Sequence, residues 1–438
     1  MKKLLAISPY FPPLNAADMQ RIRTSLPYFK ACDWDVTVVI VDERYTDQVT
    51  DNLLLQSIPQ DIKIHKVKAF SKRWTSKLGL GSIALRSLWF YHQTVNRILK
   101  GEKFDLIYFS TTQFPVCVLG SYWKSRFKVP YVIDMQDPWH SDYYKDKPKE
   151  QRPRKYWFSY RLNKYLEPLA MKKVNGLISV SEKYIVDLKA RYPQINDVPE
   201  ATITFGAFEP DVKIATDNHA IFDAMLTPGF INVVYVGRGG ADMHRAISLL
   251  FEALKKGLNA NPELFGRLKF WFVGTSYAPA GEGIATIAPL AIQFGIENSV
   301  IEITDRVSYY QSLALLQDAD ALFIPGSDDP QYTASKIYPY LLTQKPLLAI
   351  FNEQSSAVSI LKTCATGANV FTFNNRAEAT DSTIDELYKI LAACANNELQ
   401  PVKLRPHFED YSAKNLTAKQ AELFDKAIKH FEINRYKR

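Results

Sequence analysis

The sequence predicts an α/β protein built from two doubly wound domains, and three observations lead to this prediction. The chain has 438 residues, which exceeds one ordinary hydrophobic core and fits two domains of about 200 residues each. Short apolar strands alternate with segments of helical periodicity in both halves, as in parallel sheets covered by helices. A junction is expected within 206–229, where Pro210 and Pro228 stand among few periodic apolar residues.

Ten apolar runs predict the strands. They are Lys3–Ser8, Asp35–Val41, Leu106–Ser110, Tyr131–Asp134 and Leu177–Val180 in the first half, and Asn232–Val236, Lys269–Val273, Ala321–Ile324, Leu347–Ile350 and Asn369–Phe373 in the second. Helical spacing of Met19, Ile22 and Leu26 predicts a helix that Pro27 should kink or split.

The end of the chain predicts a long amphipathic helix. Its apolar stripe comprises Leu416, Leu423, Phe424, Ala427, Ile428 and Phe431, and Gln420 interrupts it. We expect an N-terminal domain over 1–207, a second domain over 208–411, and this helix over 412–438 packing back on the first domain. Two such domains facing each other form a cleft, and ligands bind beyond the carboxyl ends of the strands.

Charge and cysteine usage narrow the class of protein. Residues 1–200 hold 32 Lys and Arg against 20 Asp and Glu, a balance of +12 that favours an acidic partner such as nucleotide phosphates, a lipid pyrophosphate or an anionic membrane. The four cysteines are scattered, which predicts neither a zinc site nor a disulfide framework and favours the cytoplasm. No run of 18 apolar residues is present, so no membrane-spanning helix is expected.

Two basic stretches rich in aromatic residues, 68–100 and 143–173, stand out in the first half. The second holds ten basic and three acidic residues. One interpretation is peripheral contact with an anionic membrane, with Trp and Tyr at the headgroups. The other is a solvated basic face around helices whose aromatic residues belong to the core. No nucleic-acid-binding module is present, so nucleic acid is not an expected partner.

The loop after the first strand and the loop after the strand at 131–134 carry polar residues in the first domain. Asp18 is expected to cap the first helix, whose start could face an anion or form an ordinary connection. Asp137 follows a strand, with Trp139 and His140 nearby. Its carboxylate could orient an acceptor hydroxyl or take its proton, or it could cap a turn.

The second domain offers a glycine-rich turn and a polar loop. Gly237, Gly239 and Gly240 leave room for a ligand beside Arg238, which can fork onto phosphate oxygens. Ser335 is expected to cap a helix beside Lys336, and such a helix end suits a diphosphate. The alternatives are a plain turn with an exposed arginine and a capped helix with a solvated lysine. Asp33-Trp34-Asp35 and Asp318-Ala319-Asp320 precede strands, so no metal site is expected there.

Several segments resemble retaining GT-B glycosyltransferases of family 4. The resemblance covers most of the chain and rests on the proline loop at 8–14 with Arg21, the strand at 35–39, Phe104–Tyr108, Pro130–Trp139, Tyr165–Glu182, Val234–Gly240 and Ser335–Ala349. It implies the GT-B fold, a nucleotide-diphosphate-sugar donor, a glycan or lipid-linked sugar acceptor, and retention of configuration. It also implies that neither a cofactor nor a metal is needed, and it is consistent with cell-surface polysaccharide synthesis.

The resemblance also implies roles for individual residues. The catalytic residues would be Asp137, Arg238 and Lys336; the donor would contact Gly237, Gly239, Gly240 and Ser335; the acceptor would contact Asn15, Asp18, Arg21, Trp139 and His140. Asp328 and Asp329 are further donor candidates by their proximity alone.

One departure from the family keeps other functions open. Pro339 stands where the family has the glutamate that binds the donor ribose. A non-catalytic GT-B scaffold or sensor is therefore an alternative, and a GT-B sugar-nucleotide epimerase is another.

Overall fold

A computed structural model describes residues 1–142, 145, 149, 152, 156–329, 336–374 and 381–436. The chain divides into two compact units. The first comprises Met1–Gly206 together with Tyr411–Arg438, and the second comprises Ala207–Asp410.

The N-terminal unit is a parallel sheet covered by helices. Its strands are β1 (Lys2–Ile7), β2 (Trp34–Val41), β3 (Lys63–Val67), β4 (Leu106–Ser110), β5 (Tyr131–Met135), β6 (Gly176–Ser179) and β7 (Glu200–Thr202). Its helices are α1 (Gln20–Phe29), α2 (Lys72–Thr75), α3 (Ile83–Gly101), α4 (Val118–Phe127), α5 (Tyr156–Met171), α6 (Glu182–Arg191) and, at the end of the chain, α15 (Ala413–Tyr436). The strand order is β3-β2-β1-β4-β5-β6-β7.

Two hydrophobic clusters lie on opposite faces of this sheet, as alternating side chains require. Leu5, Ile7 and Phe109 belong to the cluster that α3, α4, α5 and α6 cover. Leu4 and Ala6 belong to the other, which α1 and α15 cover. Both faces are therefore buried, which is why the central strands read as continuous apolar runs.

Helix α15 packs on the N-terminal unit as predicted. The Phe424 ring is fully buried against the rings of Phe29, Trp34 and Tyr108, with centroid distances of 6.0, 5.6 and 5.0 Å. Gln420, the polar residue in the apolar stripe, is also buried and donates to the Ser25 hydroxyl at 2.8 Å. The interruption in the stripe is thus a buried hydrogen-bonding residue and does not break the packed face.

The C-terminal unit repeats the same architecture. Its strands are β8 (Ile231–Val236), β9 (Leu268–Val273), β10 (Val300–Ile303), β11 (Ala321–Pro325), β12 (Leu347–Asn352), β13 (Ala365–Thr366), β14 (Asn369–Phe373) and β15 (Lys403–Leu404). Its helices are α7 (Glu209–Asp217), α8 (His244–Ala260), α9 (Pro262–Phe265), α10 (Ala288–Phe294), α11 (Tyr309–Asp318), α12 (Ile337–Thr343), α13 (Ser356–Cys364) and α14 (Asp381–Ala395). Six strands form a parallel sheet in the order β10-β9-β8-β11-β12-β14, while β13 and β15 form a separate antiparallel pair.

The strand orders confirm the predicted pair of doubly wound α/β domains. In each sheet the order reverses beside the first strand, between β1 and β4 and between β8 and β11. Ligands of such sheets bind at this reversal, beyond the carboxyl ends of the strands. The loops after these four strands are therefore the places to look for a site.

Helix α1 contains Pro27 and continues from Gln20 to Phe29, so the predicted split is wrong, while the predicted kink stays a prediction. Pro27 lies two residues before the end of the helix, and Lys30–Cys32 continue the chain as a 3₁₀ turn. Within the described residues, no helix combines the length and apolarity that crossing a bilayer requires.

Candidate functional site

Asp18 connects the two loops at the reversal point of the N-terminal sheet. Its carboxylate accepts hydrogen bonds from the Thr111 hydroxyl at 2.9 Å and from the Thr112 backbone N–H at 3.1 Å. Helix α1 begins only at Gln20, and Met19 occupies its N-cap position, so the prediction that Asp18 caps this helix is wrong. The side chain is 4% exposed, and burial raises the pKa of its carboxyl.

Asn15 and Arg21 differ in what they can offer an acceptor. Asn15 is half-buried, and its backbone N–H donates to the Val49 carbonyl at 2.8 Å. Arg21 is 3% exposed, with its Nε 2.6 Å from Oδ2 of the fully buried Asp134. Its terminal nitrogens donate to the carbonyls of Ile203 and Thr204 at 2.6 and 3.0 Å. This burial and these bonds do not favour direct contact between Arg21 and an acceptor.

Asp134 is the centre of a network that the sequence did not reveal. Besides Arg21, its Oδ2 accepts from the Tyr108 hydroxyl at 3.2 Å and from the Gln136 side-chain amide at 2.9 Å. Tyr108 also reaches Gln420 of α15 at 3.3 Å. The sequence gives no signal that Arg21 pairs with Asp134, because the two residues are 113 positions apart in the chain and come together only when the sheet has formed.

Asp137 follows β5 and remains exposed. Partial burial of its carboxyl and then the negative charge of Asp18 raise its pKa. The two carboxyls therefore influence each other, and Asp137 is the more accessible of the two. Asp137 thus stays a candidate for orienting or deprotonating a hydroxyl.

Trp139 and His140 have different surroundings. Trp139 is 5% exposed, stacks on Phe114 with centroids 5.4 Å apart, and donates its indole N–H to Asn163 at 3.2 Å. Trp139 is therefore chiefly a packing residue. The His140 backbone N–H donates to the buried Glu167 at 2.9 Å. Burial lowers the pKa of its ring, and neither ring nitrogen has a hydrogen-bond partner among the described residues.

The glycine turn after β8 makes two close approaches. A Cβ at Gly237 would overlap the ammonium nitrogen of Lys336, so the absence of a side chain is what lets Lys336 reach the turn. A Cβ at Gly239 would lie 2.8 Å from the hydroxyl oxygen of Thr286. The backbone N–H groups of the same two glycines donate to Val273 and Thr275, each at 2.8 Å, which fixes the turn against β9.

Arg238 forms a bidentate ion pair that was not predicted. Its two terminal nitrogens lie 2.9 and 2.6 Å from the carboxylate oxygens of Asp242. Asp242 also accepts from the Ser327 hydroxyl at 2.7 Å, and these bonds, chiefly those from Arg238, lower the pKa of its carboxyl. The pair therefore joins the loops after β8 and β11 across the reversal point.

Lys336 is largely buried beside the turn. Its ammonium lies 5.5 Å from the centroid of the Tyr235 ring, and within the described residues it forms no ion pair with a carboxylate. Burial, then the charges of Arg238 and Arg306, lower its pKa to about 8. Arg306 was not predicted; it follows β10, and its guanidinium lies over the Tyr277 ring at 3.9 Å. Three cations thus influence one another at this edge of the sheet.

The remaining donor candidates lie on the loop after β11 or beyond it. Asp328 and Asp329 are exposed, and their backbone N–H groups donate to the Asp242 carbonyl at 2.8 Å and the Ser327 hydroxyl at 3.1 Å. Ser335 lies outside the described residues. Helix α12 begins at Ile337, two residues after the expected start, and Pro339 is accommodated in its first turn.

Gly240 precedes the short helical turn Ala241–Met243, which leads into α8. His244 and Arg245 begin α8, and one ring nitrogen of His244 is buried without a hydrogen-bond partner among the described residues.

No group of three or more potential metal-ligating His, Cys, Asp and Glu side chains occurs in the part of the chain that the structure describes.

Solved structures with the same fold span the whole chain. The N-terminal domain of trehalose-6-phosphate phosphatase from Candida albicans has a TM-score of 0.58 and 13% identity, with 97% of each chain covered. WaaG, a glycosyltransferase involved in lipopolysaccharide biosynthesis, has a TM-score of 0.52 and 15% identity, covering 96% of this chain and 99% of WaaG. The UDP-GlcNAc 2-epimerase from Methanocaldococcus jannaschii has a TM-score of 0.51 and 10% identity, with 96% and 100% covered.

At such low identities, similarity establishes the fold and leaves the activity open. The fold is the predicted GT-B architecture of two parallel-sheet α/β domains. No model of a known protein family matches the sequence, and no curated protein matches it.

Proposed function

We propose that this protein transfers a sugar from a nucleotide-diphosphate sugar to a glycan or lipid-linked acceptor. The observation that carries the proposal is the placement of Lys336 against the glycine turn at Gly237, beside Arg238 and without a carboxylate partner among the described residues. A buried cation that lacks a counterion is costly. A bound diphosphate would supply the missing negative charge.

In this proposal the cations act on the leaving group. Lys336 contributes a point charge, and Arg238 and Arg306 raise the positive potential around it. As the bond to the sugar breaks, negative charge grows on the departing diphosphate, and fixed cations stabilise that charge without reorganising. Arg238 would share its guanidinium between the diphosphate and Asp242, because Asp242 already accepts two of its N–H groups.

Asp137 is the residue we assign to the acceptor. Its exposed position after β5 and its raised pKa suit a carboxyl that orients a hydroxyl or takes its proton. His140 and Asn15 remain candidates for further contacts with the acceptor. Transfer with retention of configuration, without metal or cofactor, follows from the resemblance to family 4 enzymes and belongs to the same proposal.

Binding of the donor ribose needs a substitute for the family glutamate, because the Pro339 side chain cannot accept hydrogen bonds from the ribose hydroxyl groups. Asp328 and Asp329 are exposed carboxylates on the loop that the Asp242 carbonyl and the Ser327 hydroxyl hold in place. We propose that one of them contacts the ribose.

The proposal is tested by calorimetric titration of the protein with UDP, GDP, CMP and dTDP in the absence of added metal. We expect one nucleotide to bind in the micromolar range and Lys336→Ala to weaken it about 10- to 100-fold, the effect of losing one charge-assisted hydrogen bond of about 1.5–3 kcal/mol. Lys389→Ala, which removes an exposed lysine from α14, is the matched control and should bind as the wild type. The proposed donor site would be contradicted if the wild type bound no nucleotide, or if Lys336→Ala bound it with the same affinity as Lys389→Ala.

An epimerase is the second candidate, because the structure of a UDP-GlcNAc 2-epimerase is among those with the same fold. Incubation of a nucleotide sugar with the protein alone separates the two activities. An epimerase converts the donor without an acceptor, whereas a transferase releases nucleoside diphosphate only when an acceptor is present. A scaffold or sensor would leave the donor unchanged in both conditions.

Synthesis of a cell-surface polysaccharide at the cytoplasmic face of a membrane is the setting we propose for this activity. Contact with an anionic membrane through 68–100 and 143–173 also stays a proposal. The described parts of these stretches include helices α2, α3 and α5 of the N-terminal unit.

A further inference from the structure

Helices α3, α4 and α5 cover one face of the N-terminal sheet, and their outer sides carry large exposed aromatic residues. Trp89 on α3 is 55% exposed and Tyr122 on α4 is 40% exposed. On α5, Trp157 is 64% exposed and Tyr165 is 71% exposed. Single exposed apolar residues are normal in soluble proteins, but a group of aromatic residues on one face marks an interaction surface.

Contacts between the helices show that these residues are neighbours. The Trp89 ring stacks on His92 with centroids 6.1 Å apart, and the His92 ring lies 4.8 Å from Tyr122. One residue before Tyr122, the Ser121 hydroxyl donates to the Leu169 carbonyl of α5 at 2.8 Å. The exposed rings of α3 and α4 are therefore neighbours, and the carboxyl end of α5 lies beside α4; the outer sides of these three helices are called the strip below.

Helix α5 presents an outer side of a distinctive composition. Its exposed residues are Trp157, Ser159, Arg161, Lys164, Tyr165 and Leu169, and Lys172 follows the helix. The Arg161 guanidinium lies over the Trp157 ring at 5.7 Å. Its single acidic residue, Glu167, is fully buried and pairs with Arg191. Only cationic, aromatic, aliphatic and hydroxyl groups therefore face outward on this helix.

The other two helices of this face lack acidic residues altogether. Residues 68–101, which include α3, contain seven Lys and Arg and no Asp or Glu. Residues 106–133, which include α4, contain three Lys and Arg and again no Asp or Glu. On the opposite face, α15 carries Glu422, Asp425 and Glu432 among its lysines. Positive charge without exposed acid is thus a property of α3, α4 and α5, whereas α6, on the same face of the sheet, carries the exposed Glu182 and Asp187.

A further exposed tryptophan lies beside this strip. Trp74 of α2 is 67% exposed, and the Lys77 ammonium lies 5.3 Å from its ring centroid. Gly79, five residues later, is in contact with the Phe158 ring of α5. The α2 segment is therefore placed next to the start of α5 and extends the surface.

We propose that the outer face of α3, α4 and α5 binds the surface of a lipid bilayer that contains anionic phospholipids. Tryptophan and tyrosine side chains place an apolar ring and a polar group at the level of the headgroups, while lysine and arginine pair with lipid phosphates. A nucleic acid would also meet the positive charge, but exposed aliphatic Leu169 and the tryptophans favour an apolar phase beneath the phosphates. The surface belongs to the N-terminal unit and the proposed donor residues to the C-terminal unit, so this inference, which deepens the membrane contact proposed for 68–100 and 143–173, can be tested apart from sugar transfer.

The test is co-sedimentation of the full-length protein with vesicles of phosphatidylcholine that contain about 30% phosphatidylglycerol, whose negative charge gives the vesicle a surface potential. Vesicles of pure phosphatidylcholine are the comparison. We expect binding to the anionic vesicles only, weakened at high salt because lipid charges are screened. Arg161→Glu with Lys164→Glu should reduce binding at least about tenfold. Trp89→Ser with Trp157→Ser should reduce the binding that remains at high salt.

The matched control is Lys426→Glu with Lys429→Glu, two exposed lysines at the same spacing on α15. This variant should bind vesicles as the wild type does. The α5 variant should retain wild-type affinity for nucleotide, which separates loss of membrane binding from loss of the fold and from failure of the donor site. The inference is overturned if the wild type ignores anionic vesicles, if the two charge-reversal variants bind equally, or if a single-stranded oligonucleotide competes fully while the tryptophan variant binds normally.

Discussion

Lys336 is placed where burial and neighbouring cations both act against its charge. Its pKa is lowered to about 8, and the groups responsible, after burial itself, are Arg238 and Arg306. A diphosphate bound at the glycine turn would reverse the balance, because its negative charge favours the protonated lysine. Binding of the nucleotide is therefore linked to protonation of this residue.

The linkage predicts how affinity depends on pH. Below about pH 8 the free protein already carries the proton on Lys336, so affinity should change little between pH 7 and 7.5. Above pH 8 the free protein loses the proton that the complex needs, and affinity should fall by up to about tenfold per pH unit. Calorimetry of the preferred nucleotide from pH 7 to 9.5 measures this fall.

Lys336→Arg provides the control for the pH series, since arginine stays protonated throughout this range. Its affinity should be nearly constant from pH 7.5 to 9.5, whatever its absolute value. A wild-type affinity that is equally constant would show that Lys336 does not contact the nucleotide.

For single residues, the sequence predicted which side chains matter better than it predicted the partners that those side chains contact. Arg238 and Lys336 were identified from a glycine turn and a polar loop, whereas Arg306 was missed because a lone arginine after a short strand has no motif around it. Asp18 was expected to cap α1, but Thr111 and Thr112 are brought to it by the strand order and satisfy its carboxylate instead. Such partners are distant in the chain and follow only from the completed fold.

Among the elements, α1, β4, β5 and α15 share the buried network around Asp134. Arg21 of α1 pairs with Asp134 of β5, while Tyr108 of β4 bonds both Asp134 and Gln420 of α15. Removing one member of a buried ion pair leaves the other charge uncompensated in a low-dielectric environment. The network should therefore matter more for stability than any exposed pair in the same unit.

Asp134→Asn is expected to lower the free energy of unfolding by about 3–5 kcal/mol, since it leaves the Arg21 guanidinium buried without a counterion. Asp425→Asn breaks the partly exposed pair with Lys2 and should cost no more than about 1 kcal/mol. Urea unfolding followed by circular dichroism compares the two variants. Similar losses would show that the Arg21–Asp134 pair is not a principal stabilising contact.

The sequence predicted every central strand and missed three of the four edge strands of the two parallel sheets. All ten predicted strands occur, whereas β3, β7 and β10 of the two parallel sheets and the short strands β13 and β15 were not predicted. β3, β7 and β10 each lie at the edge of a parallel sheet. An edge strand has a partner on one side only and is less buried; in β3 four of five residues are exposed, so no apolar run distinguishes it from a loop.

For the whole molecule, the residues proposed to bind the donor and Asp137 belong to different compact units. Gly237, Arg238 and Lys336 lie within Ala207–Asp410, and Asp137 lies within Met1–Gly206. Hydrogen bonds within the C-terminal unit fix the turn at Gly237, and the hydrogen bonds to Asp18 lie within the N-terminal unit. Nucleotide binding and action on the acceptor should therefore be separable by substitution.

Asp137→Asn is expected to leave nucleotide affinity within about twofold of the wild type, because the donor residues keep all their contacts. Transfer to an acceptor should fall by about 10²–10⁴-fold, the usual contribution of a positioned acid or base. Calorimetry and release of nucleoside diphosphate in the presence of acceptor measure the two quantities on the same preparation. Lys336→Ala should weaken nucleotide binding and also reduce transfer to the acceptor. If Asp137→Asn instead weakens nucleotide binding while transfer at saturating donor stays normal, Asp137 belongs to donor binding and the assignment of the acceptor to the N-terminal unit is wrong.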